Sequence, residues 1–272
     1  MSGHEHCLQG KPAAGQAAGT KRAVGGLDSY VTDSIGHEFK GKAVIYLYDA
    51  FGVDFINNQL LADEYAQEAN VRVYIPDLLH GDVAPTSVFD GTPFDFASWA
   101  ARHPKEKVQA ELEAYVNTLF KEEGVTSLAS VGFCWGARYA LLLASGSHVK
   151  GAVAAHPSFL QPAEVAAITQ PTLFLCAETD QQFPRDTFRK ESEEVLKKKG
   201  VDTKFIDYDG TQHGFAVRAG DAIGKAAQLS AKNEAVSFFQ PPRVPPTLTG
   251  FIVQDAGASS STTSSSTSPL SR

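Results

Sequence analysis

Residues 132–136 read Gly132-Phe133-Cys134-Trp135-Gly136, and the fold prediction for the whole chain starts from this stretch. The apolar run before it, 126–131, is typical of a short buried strand, and the Ala- and Leu-rich run after it, 137–145, is typical of a helix. The two glycines leave room for a sharp, strained turn, which pushes the side chain between them out above the end of the strand. The pattern therefore predicts a strand, a tight turn that carries Cys134, and a helix.

A cysteine in this turn is a candidate nucleophile. The helix N-terminus behind it supplies N–H groups and positive potential, which favour a thiolate and a developing oxyanion. The stretch has the G-x-nucleophile-x-G form of the α/β-hydrolase elbow, with cysteine where serine usually stands. The alternative is an inert structural cysteine, because free cysteines are often buried. The flanking strand and helix favour the catalytic interpretation of Cys134.

Composition limits the classes of protein to consider. The chain has 272 residues, 43% of them hydrophobic, which suits one α/β domain with tails. The formal net charge of −7 argues against a nucleic-acid partner. Cys7, Cys134 and Cys176 are sparse and odd in number, which fits a reducing compartment without a disulfide framework. Without a visible secretory signal or a run of about 18 apolar residues, we expect a cytoplasmic protein with no membrane partner.

Apolar runs alternate with helix-like segments along the chain. Strands are predicted over 43–48, 71–76, 126–131, 149–155, 172–177 and 203–208, and helices over 58–69, 105–122, 137–145, 184–199 and 221–239. This alternation predicts an α/β fold with a mostly parallel central sheet and helices on both faces. We expect a flexible N-terminal arm over 1–26, an α/β-hydrolase domain over 27–240, and a Pro-rich, then Ser/Thr-rich disordered tail over 241–272.

Two polar residues follow predicted strands in the chain order that a hydrolase elbow requires of its partners, an acid and then a histidine. Asp180 and His213 would both lie at the carboxyl ends of parallel strands, where ligands bind in open α/β sheets. His213 would exchange protons with Cys134, and Asp180 would orient the imidazole. Glu178 is an alternative to Asp180, and each residue taken singly could be an ordinary turn or solvated residue.

The chain resembles the dienelactone hydrolase family, especially its fungal-type members, over roughly residues 28–240. The resemblance rests on the combination of Tyr48-Asp49-Ala50-Phe51-Gly52-Val53, Ile75-Pro76-Asp77, the turn at 132–136, Asp180 in its strand-end loop, and His213-Gly214-Phe215. It implies an α/β-hydrolase domain that needs no cofactor or metal and exists as a monomer or weak homodimer. It also implies a Cys134–Asp180–His213 triad acting on small lactones or related esters.

The resemblance assigns further roles around the turn. Asp49 stands where the family carries an acid that helps to create the thiolate, and it is one methylene shorter than the glutamate of bacterial members. The carboxylate can accept the thiol proton, although a negative charge nearby disfavours a free thiolate. The backbone N–H groups of Ala50 and Trp135 are expected to form the oxyanion hole.

Other residues are candidates for substrate binding. Arg218 lies near the position of a family arginine and is expected to anchor a substrate carboxylate, whereas Phe51 and Trp99 are expected substrate contacts. The long segment 77–103 is expected to be loop, and its aromatic residues suggest a substrate larger or more apolar than a simple dienelactone. His156 follows a predicted strand and could either approach the site or bond loop backbone.

These residues predict a hydrolase acting on carboxylic ester bonds, similar to carboxymethylenebutenolidases, which forms an acyl-thioester on Cys134. Its partner would be a small lactone, enol ester or related activated ester. A thioesterase or carboxylesterase of fungal-type secondary metabolism is an alternative that the sequence does not separate from the first. A non-catalytic ligand-binding protein fits less well with an intact triad, and a redox-sensing thiol would need an exposed cysteine with a resolving partner.

Overall fold

The apolar runs of the sequence become strands of one sheet. The computed structural model describes residues 12–240, and the strands of that range lie in the order β1-β2-β4-β3-β5-β6-β7-β8. They are β1 Thr20–Val24, β2 Leu27–Thr32, β3 Lys42–Leu47, β4 Arg72–Pro76, β5 Ser127–Phe133, β6 Ala152–Ala155, β7 Thr172–Thr179 and β8 Thr203–Gln212. Strands β3 to β8 run parallel, whereas β2 is antiparallel to both of its neighbours, β1 and β4. The expected α/β-hydrolase fold with a mostly parallel sheet is confirmed.

Helices fill connections between the strands, and two more follow the last strand. They are α1 Ile56–Ala69, α2 Phe96–Arg102, α3 Lys105–Lys121, α4 Trp135–Leu143, α5 Pro162–Ala167, α6 Lys190–Lys199, α7 Phe215–Arg218 and α8 Ala222–Phe239. In α3 the buried residues recur every three to four positions, from Val108 to Leu119, as a helix with one face on the core requires. None of the helices within residues 12–240 combines the length and the apolar character that crossing a membrane would need.

No element is predicted from the sequence over β2, α5 or α7, and two further segments differ from their prediction. Residues 20–24, expected in a loose arm, form the edge strand β1, which pairs with β2 from Thr20 opposite Val31 to Val24 opposite Leu27. Only Val24 of this strand is buried, so no apolar alternation marks it in the sequence. The segment 77–103, expected to be loop, contains α2. The first eleven residues of the expected arm and the expected tail, 241–272, lie outside the described residues.

The sheet brings several strand ends together. β5 lies between β3 and β6, with Leu47 opposite Gly132 and Phe133 opposite Ala155. Because β3 and β5 to β8 are parallel, the residues that follow them meet at one edge of the sheet. The polar residues that follow them are Asp49, Cys134, His156, Asp180 and His213. We therefore expect a functional site at this edge of the sheet.

Candidate active site

Cys134 lies in a strained turn between the end of β5 and the start of α4. Its backbone has φ 52° and ψ −115°, a region that non-glycine residues rarely adopt. A Cβ atom on Gly132 would lie 2.5 Å from the carbonyl oxygen of Gly136, and one on Gly136 would lie 2.1 Å from that of Leu47. Both positions therefore require glycine. The turn predicted from the sequence is present, and the Cys134 side chain on it is fully buried.

His213 and Asp180 meet as the chain order predicts. The Nδ1 atom of His213 donates to Oδ2 of Asp180 over 2.8 Å, and both side chains are buried. The other Asp180 oxygen accepts the backbone N–H groups of Gln182, at 2.9 Å, and of Phe183. Glu178, the alternative acid, is exposed and accepts instead from the backbone of a β8 residue. The contact with the imidazole thus belongs to Asp180.

The imidazole of His213 also contacts Cys134. A side-chain hydrogen bond joins His213 to Cys134. Burial disfavours a charged ring, but Asp180 and the ionised Cys134 outweigh it and raise the pKa of His213 to about 10. The three groups can therefore form a thiolate–imidazolium pair backed by a carboxylate. Cys176 is different, because burial raises the pKa of its thiol to about 12 and so keeps it protonated.

Asp49 and Arg218 form a second charged contact beside the turn. Oδ2 of Asp49 accepts from Nη1 of Arg218, and Oδ1 accepts from the Phe51 amide and from the Asn58 side chain, each at 3.3 Å. Burial raises the pKa of Asp49, the guanidinium opposes this, and the negative charge of Cys134 adds to it. Arg218, expected to anchor a substrate, is held by Asp49 and lies 5.1 Å from the Phe51 ring centroid.

The two backbone amides expected to form an oxyanion hole flank the same turn. The N–H of Gly136 donates to the carbonyl of Tyr48 over 3.1 Å, which ties the start of α4 to the segment that carries Ala50. Within residues 12–240, the N–H groups of Ala50 and Trp135 donate to no protein acceptor. Trp135 is the first residue of α4, where a helix leaves its N–H without an intrahelical partner.

Sequence reasoning missed Ser158 and left His156 open. The Ser158 hydroxyl lies 3.4 Å from Sγ of Cys134 and 3.3 Å from Nε2 of His213. The ring of His156 packs edge-on against that of His213, with centroids 4.8 Å apart. Burial, followed by the charges of His213 and Arg218, lowers the pKa of His156 well below its usual value. A serine three residues beyond a strand has no sequence pattern that would have identified it.

An apolar cover closes over the site. Trp99 of α2 is fully buried, donates from Nε1 to the Asp82 carbonyl over 2.7 Å, and packs 6.1 Å from the ring of Trp135. Phe96 of α2 stacks on Trp99 at 5.0 Å and on Phe159 at 5.5 Å. Trp99 thus lies against the residue that follows the candidate nucleophile, and the rings of the cover pack on one another.

The chemistry available here is that of a thiol, an imidazole and a carboxylate. Such a set can perform nucleophilic acyl transfer, in which the base moves a proton between thiol and leaving group. Within residues 12–240, no group of three or more His, Cys, Asp or Glu side chains is placed to hold a metal ion.

Comparison with known proteins agrees with this fold. The model of a family described as the dienelactone hydrolase family matches residues 27–242. The chain is 30% identical over 243 residues to Hydrolase tropI of Talaromyces stipitatus, covering 86% of this chain and 94% of that protein. It is 28% identical over 218 residues to Dienlactone hydrolase 1 of Gibberella moniliformis, covering 78% and 82% respectively.

Among solved structures, a candidate dienelactone hydrolase of Klebsiella pneumoniae has the same fold, with a TM-score of 0.68 at 20% identity. The match covers 84% of this chain and 99% of that one. Because the family match spans strands β2 to β8 and every strand end at the site, the chain belongs to the dienelactone hydrolase family, a family of hydrolases that act on ester bonds.

Proposed function

We propose that the protein is a cysteine-dependent hydrolase of small lactones, enol esters or related activated esters. The observation that carries this proposal is the continuous set of contacts from Cys134 to His213 and from His213 to Asp180, all buried at the carboxyl ends of parallel strands. An acyl-thioester on Cys134 would be the intermediate.

The geometry supports a two-step reaction. The thiolate of Cys134 attacks the acyl carbon, and the carbonyl oxygen becomes an oxyanion held by the N–H groups of Ala50 and Trp135. The imidazolium of His213 then gives its proton to the leaving oxygen. A water molecule, deprotonated by His213, attacks the thioester and regenerates the thiol. Asp180 keeps the imidazole in the required tautomer and orientation throughout.

Asp49 is proposed to assist the formation of the thiolate. Burial and the charge of Cys134 raise the pKa of Asp49, so its carboxylate is a better proton acceptor than an exposed aspartate. Arg218 opposes this because its guanidinium stabilises the charged carboxylate. A substrate that drew Arg218 away from Asp49 would therefore favour proton transfer from Cys134 to Asp49. In this role Arg218 both binds substrate and controls the acid.

The aromatic cover suggests which esters fit. Phe96, Trp99 and Phe159 form an apolar wall rather than a charged one, so a substrate that reaches it when the cover moves would bury apolar or aromatic acyl or alcohol groups there. This observation favours a carboxylesterase with larger apolar substrates as the second candidate. In either case a thiolate suits activated acyl groups with good leaving groups. We also propose that the enzyme works as a monomer or weak homodimer in the cytoplasm, where Cys134 and Cys176 stay reduced.

The test compares hydrolysis of a p-nitrophenyl ester by the wild type, Cys134→Ala and Cys176→Ala at equal folded concentration. Cys176 is the matched control because it is also buried and in no disulfide bond, but it lies in β7. We expect Cys134→Ala to lose turnover and Cys176→Ala to keep it. Full activity of Cys134→Ala would show that another residue attacks the ester. Trapping of an acyl group on the Cys134 peptide by mass spectrometry would identify the intermediate.

A further inference from the structure

The loop that follows β6 places a serine hydroxyl between the two reacting groups of the proposed mechanism. Ser158 is fully buried, and its Oγ lies 3.4 Å from Sγ of Cys134 and 3.3 Å from Nε2 of His213. We propose that Ser158 is a further catalytic residue, whose hydroxyl donates a hydrogen bond to the Cys134 thiolate while it accepts one from the His213 imidazolium. This inference rests on the proposed function, because it concerns the same thiol.

The backbone holds the hydroxyl in this position. The N–H of Ser158 donates to the carbonyl of Cys134 over 3.0 Å, and the N–H of His156 donates to the carbonyl of Leu175 over 2.9 Å. His156 and Phe159, on either side of Ser158, have φ values of 37° and 59°. Non-glycine residues adopt such values only where the surrounding structure enforces them, and they cluster at functional sites. The loop is thus tied to the turn itself.

A hydroxyl suits this position because it has one proton to donate and lone pairs to accept with. Before transfer, the Cys134 thiol donates to Nε2 of His213, and the Ser158 hydroxyl lies against both atoms. Transfer breaks the S–H bond and forms an Nε2–H bond, so the products are a thiolate and an imidazolium. The Ser158 O–H then donates to the thiolate while its oxygen accepts from the imidazolium, and atoms and charges balance.

The charged groups around the Cys134 sulfur act in opposite directions on the thiolate, so a hydrogen bond from Ser158 to the sulfur adds to its stability. Asp49 brings negative charge close to Cys134, which disfavours a thiolate, whereas His213 favours it. The remaining titratable groups at the strand ends act through these two: Arg218 neutralises Asp49, and Asp180 supports the charge on His213. His156 contacts the His213 ring and is kept neutral by burial. The Ser158 hydroxyl adds stabilisation of the thiolate without adding net charge.

The test follows thiolate formation directly, by ultraviolet absorbance of the thiolate against pH, with Cys134→Ala as the blank. The variants are Ser158→Ala and, as matched control, Ser130→Ala. Ser130 is also fully buried, but its hydroxyl bonds to the Ala140 carbonyl at 3.2 Å. We expect Ser158→Ala to raise the midpoint by about one pH unit and lower kcat/KM about tenfold, as loss of a hydrogen bond to a charged group would. Ser130→Ala should leave the midpoint unchanged.

A second pair of variants keeps the test valid if Ser158→Ala does not fold. Ser158→Thr keeps the hydroxyl and Ser158→Val removes it with nearly the same shape, so we expect the wild-type midpoint only in Ser158→Thr. The proposal is overturned if Ser158→Ala or Ser158→Val titrates like the wild type, or if the wild type shows no thiolate absorbance beyond that of Cys134→Ala. Because the titration needs no substrate, its result stands even if Cys134→Ala retains esterase activity, which would refute the proposed function alone.

Discussion

Asp49 and Arg218 form an ion pair in which both side chains are fully buried, although 169 positions separate them in the chain. A buried pair of this kind is weak evidence for stability, because both ions lose their hydration. Removing one partner is a different matter, since it leaves the other charge buried and alone. The first prediction follows from that asymmetry.

We expect Arg218→Ala to lower the free energy of unfolding by about 3–5 kcal/mol, because the Asp49 carboxylate then has no cation beside it. Urea denaturation followed by circular dichroism measures this. The control is Lys204→Ala, which breaks the exposed Lys204–Glu234 pair at 2.8 Å and should cost less than about 1 kcal/mol. Equal losses in the two variants would mean that Asp49 finds another partner or becomes protonated.

Asp180 and Glu178 were both possible orienters of His213, and mutation separates them. Asp180→Asn should lower kcat roughly 10⁴-fold, because an amide in place of the carboxylate favours the wrong imidazole tautomer. Glu178→Gln should leave kcat nearly unchanged, since Glu178 is exposed and bonds to backbone. Steady-state kinetics with the p-nitrophenyl ester provides the comparison. A larger loss in Glu178→Gln would reverse the assignment.

The raised pKa of His213 predicts how stability depends on pH. Burial lowers the pKa of His213, but Asp180 and Cys134 raise it by more. The net change is from 6.5 to about 10. The folded protein therefore binds this proton more tightly than the unfolded chain. The resulting stabilisation is fully present below pH 6.5 and is lost as the pH rises through about 10. Urea denaturation of wild type and Asp180→Asn across this window should show their stability difference shrinking as the pH rises; a constant or growing difference would contradict the assignment.

The cover over the site is anchored at the end of α2. Arg102 and His103 both contact the Asp82 carboxylate, at 2.7 Å and 3.1 Å at the nearest atoms. Because Cys134 is fully buried, a reagent reaches it only when the cover moves. We expect Asp82→Ala to speed iodoacetamide labelling of Cys134 about fivefold, the effect of losing exposed ion pairs. Mass spectrometry of the Cys134 peptide measures the rate.

The matched control for this labelling experiment is Asp33→Ala. It breaks the Asp33–Arg72 pair, also at 2.7 Å, which lies at the start of β4 and thus at the opposite edge of the sheet. Faster labelling in both variants would indicate general loosening of the protein, and no change in Asp82→Ala would show that these contacts do not control access.

The elbow itself should not tolerate a side chain at Gly136. An added Cβ would lie 2.1 Å from the Leu47 carbonyl oxygen, and backbone cannot yield as a flexible side chain can. Gly136→Ala should therefore cost about 3 kcal/mol or more of stability, as severe overpacking does. At Gly146 the nearest atom is 3.7 Å away, so Gly146→Ala should fold normally. Thermal denaturation distinguishes the two, and a stable Gly136→Ala would show that β3 can shift.

Several features of the site were predictable from the sequence because they depend on residues close to one another along the chain. The strand, turn and helix around Cys134 follow from apolar periodicity and from two glycines, both of which act within a few positions. The order of Asp180 and His213 after their strands predicted that both would lie at one edge of the sheet. The edge strand β1 was not predicted, because only Val24 of its five residues is buried and no apolar alternation marks it. It forms because it pairs with β2.

What the sequence alone determined was thus the fold class, the strained turn, and the type and order of the residues brought to it. Tertiary structure decided the contacts: that Arg218 lies on Asp49, that Ser158 lies between the thiol and the imidazole, and that α2 closes over them. The physical reason is the distance along the chain over which each effect acts. Periodicity and turn sterics act along a few residues of chain, whereas these contacts join residues that are far apart in the chain and depend on strand order and backbone direction within a few tenths of an ångström.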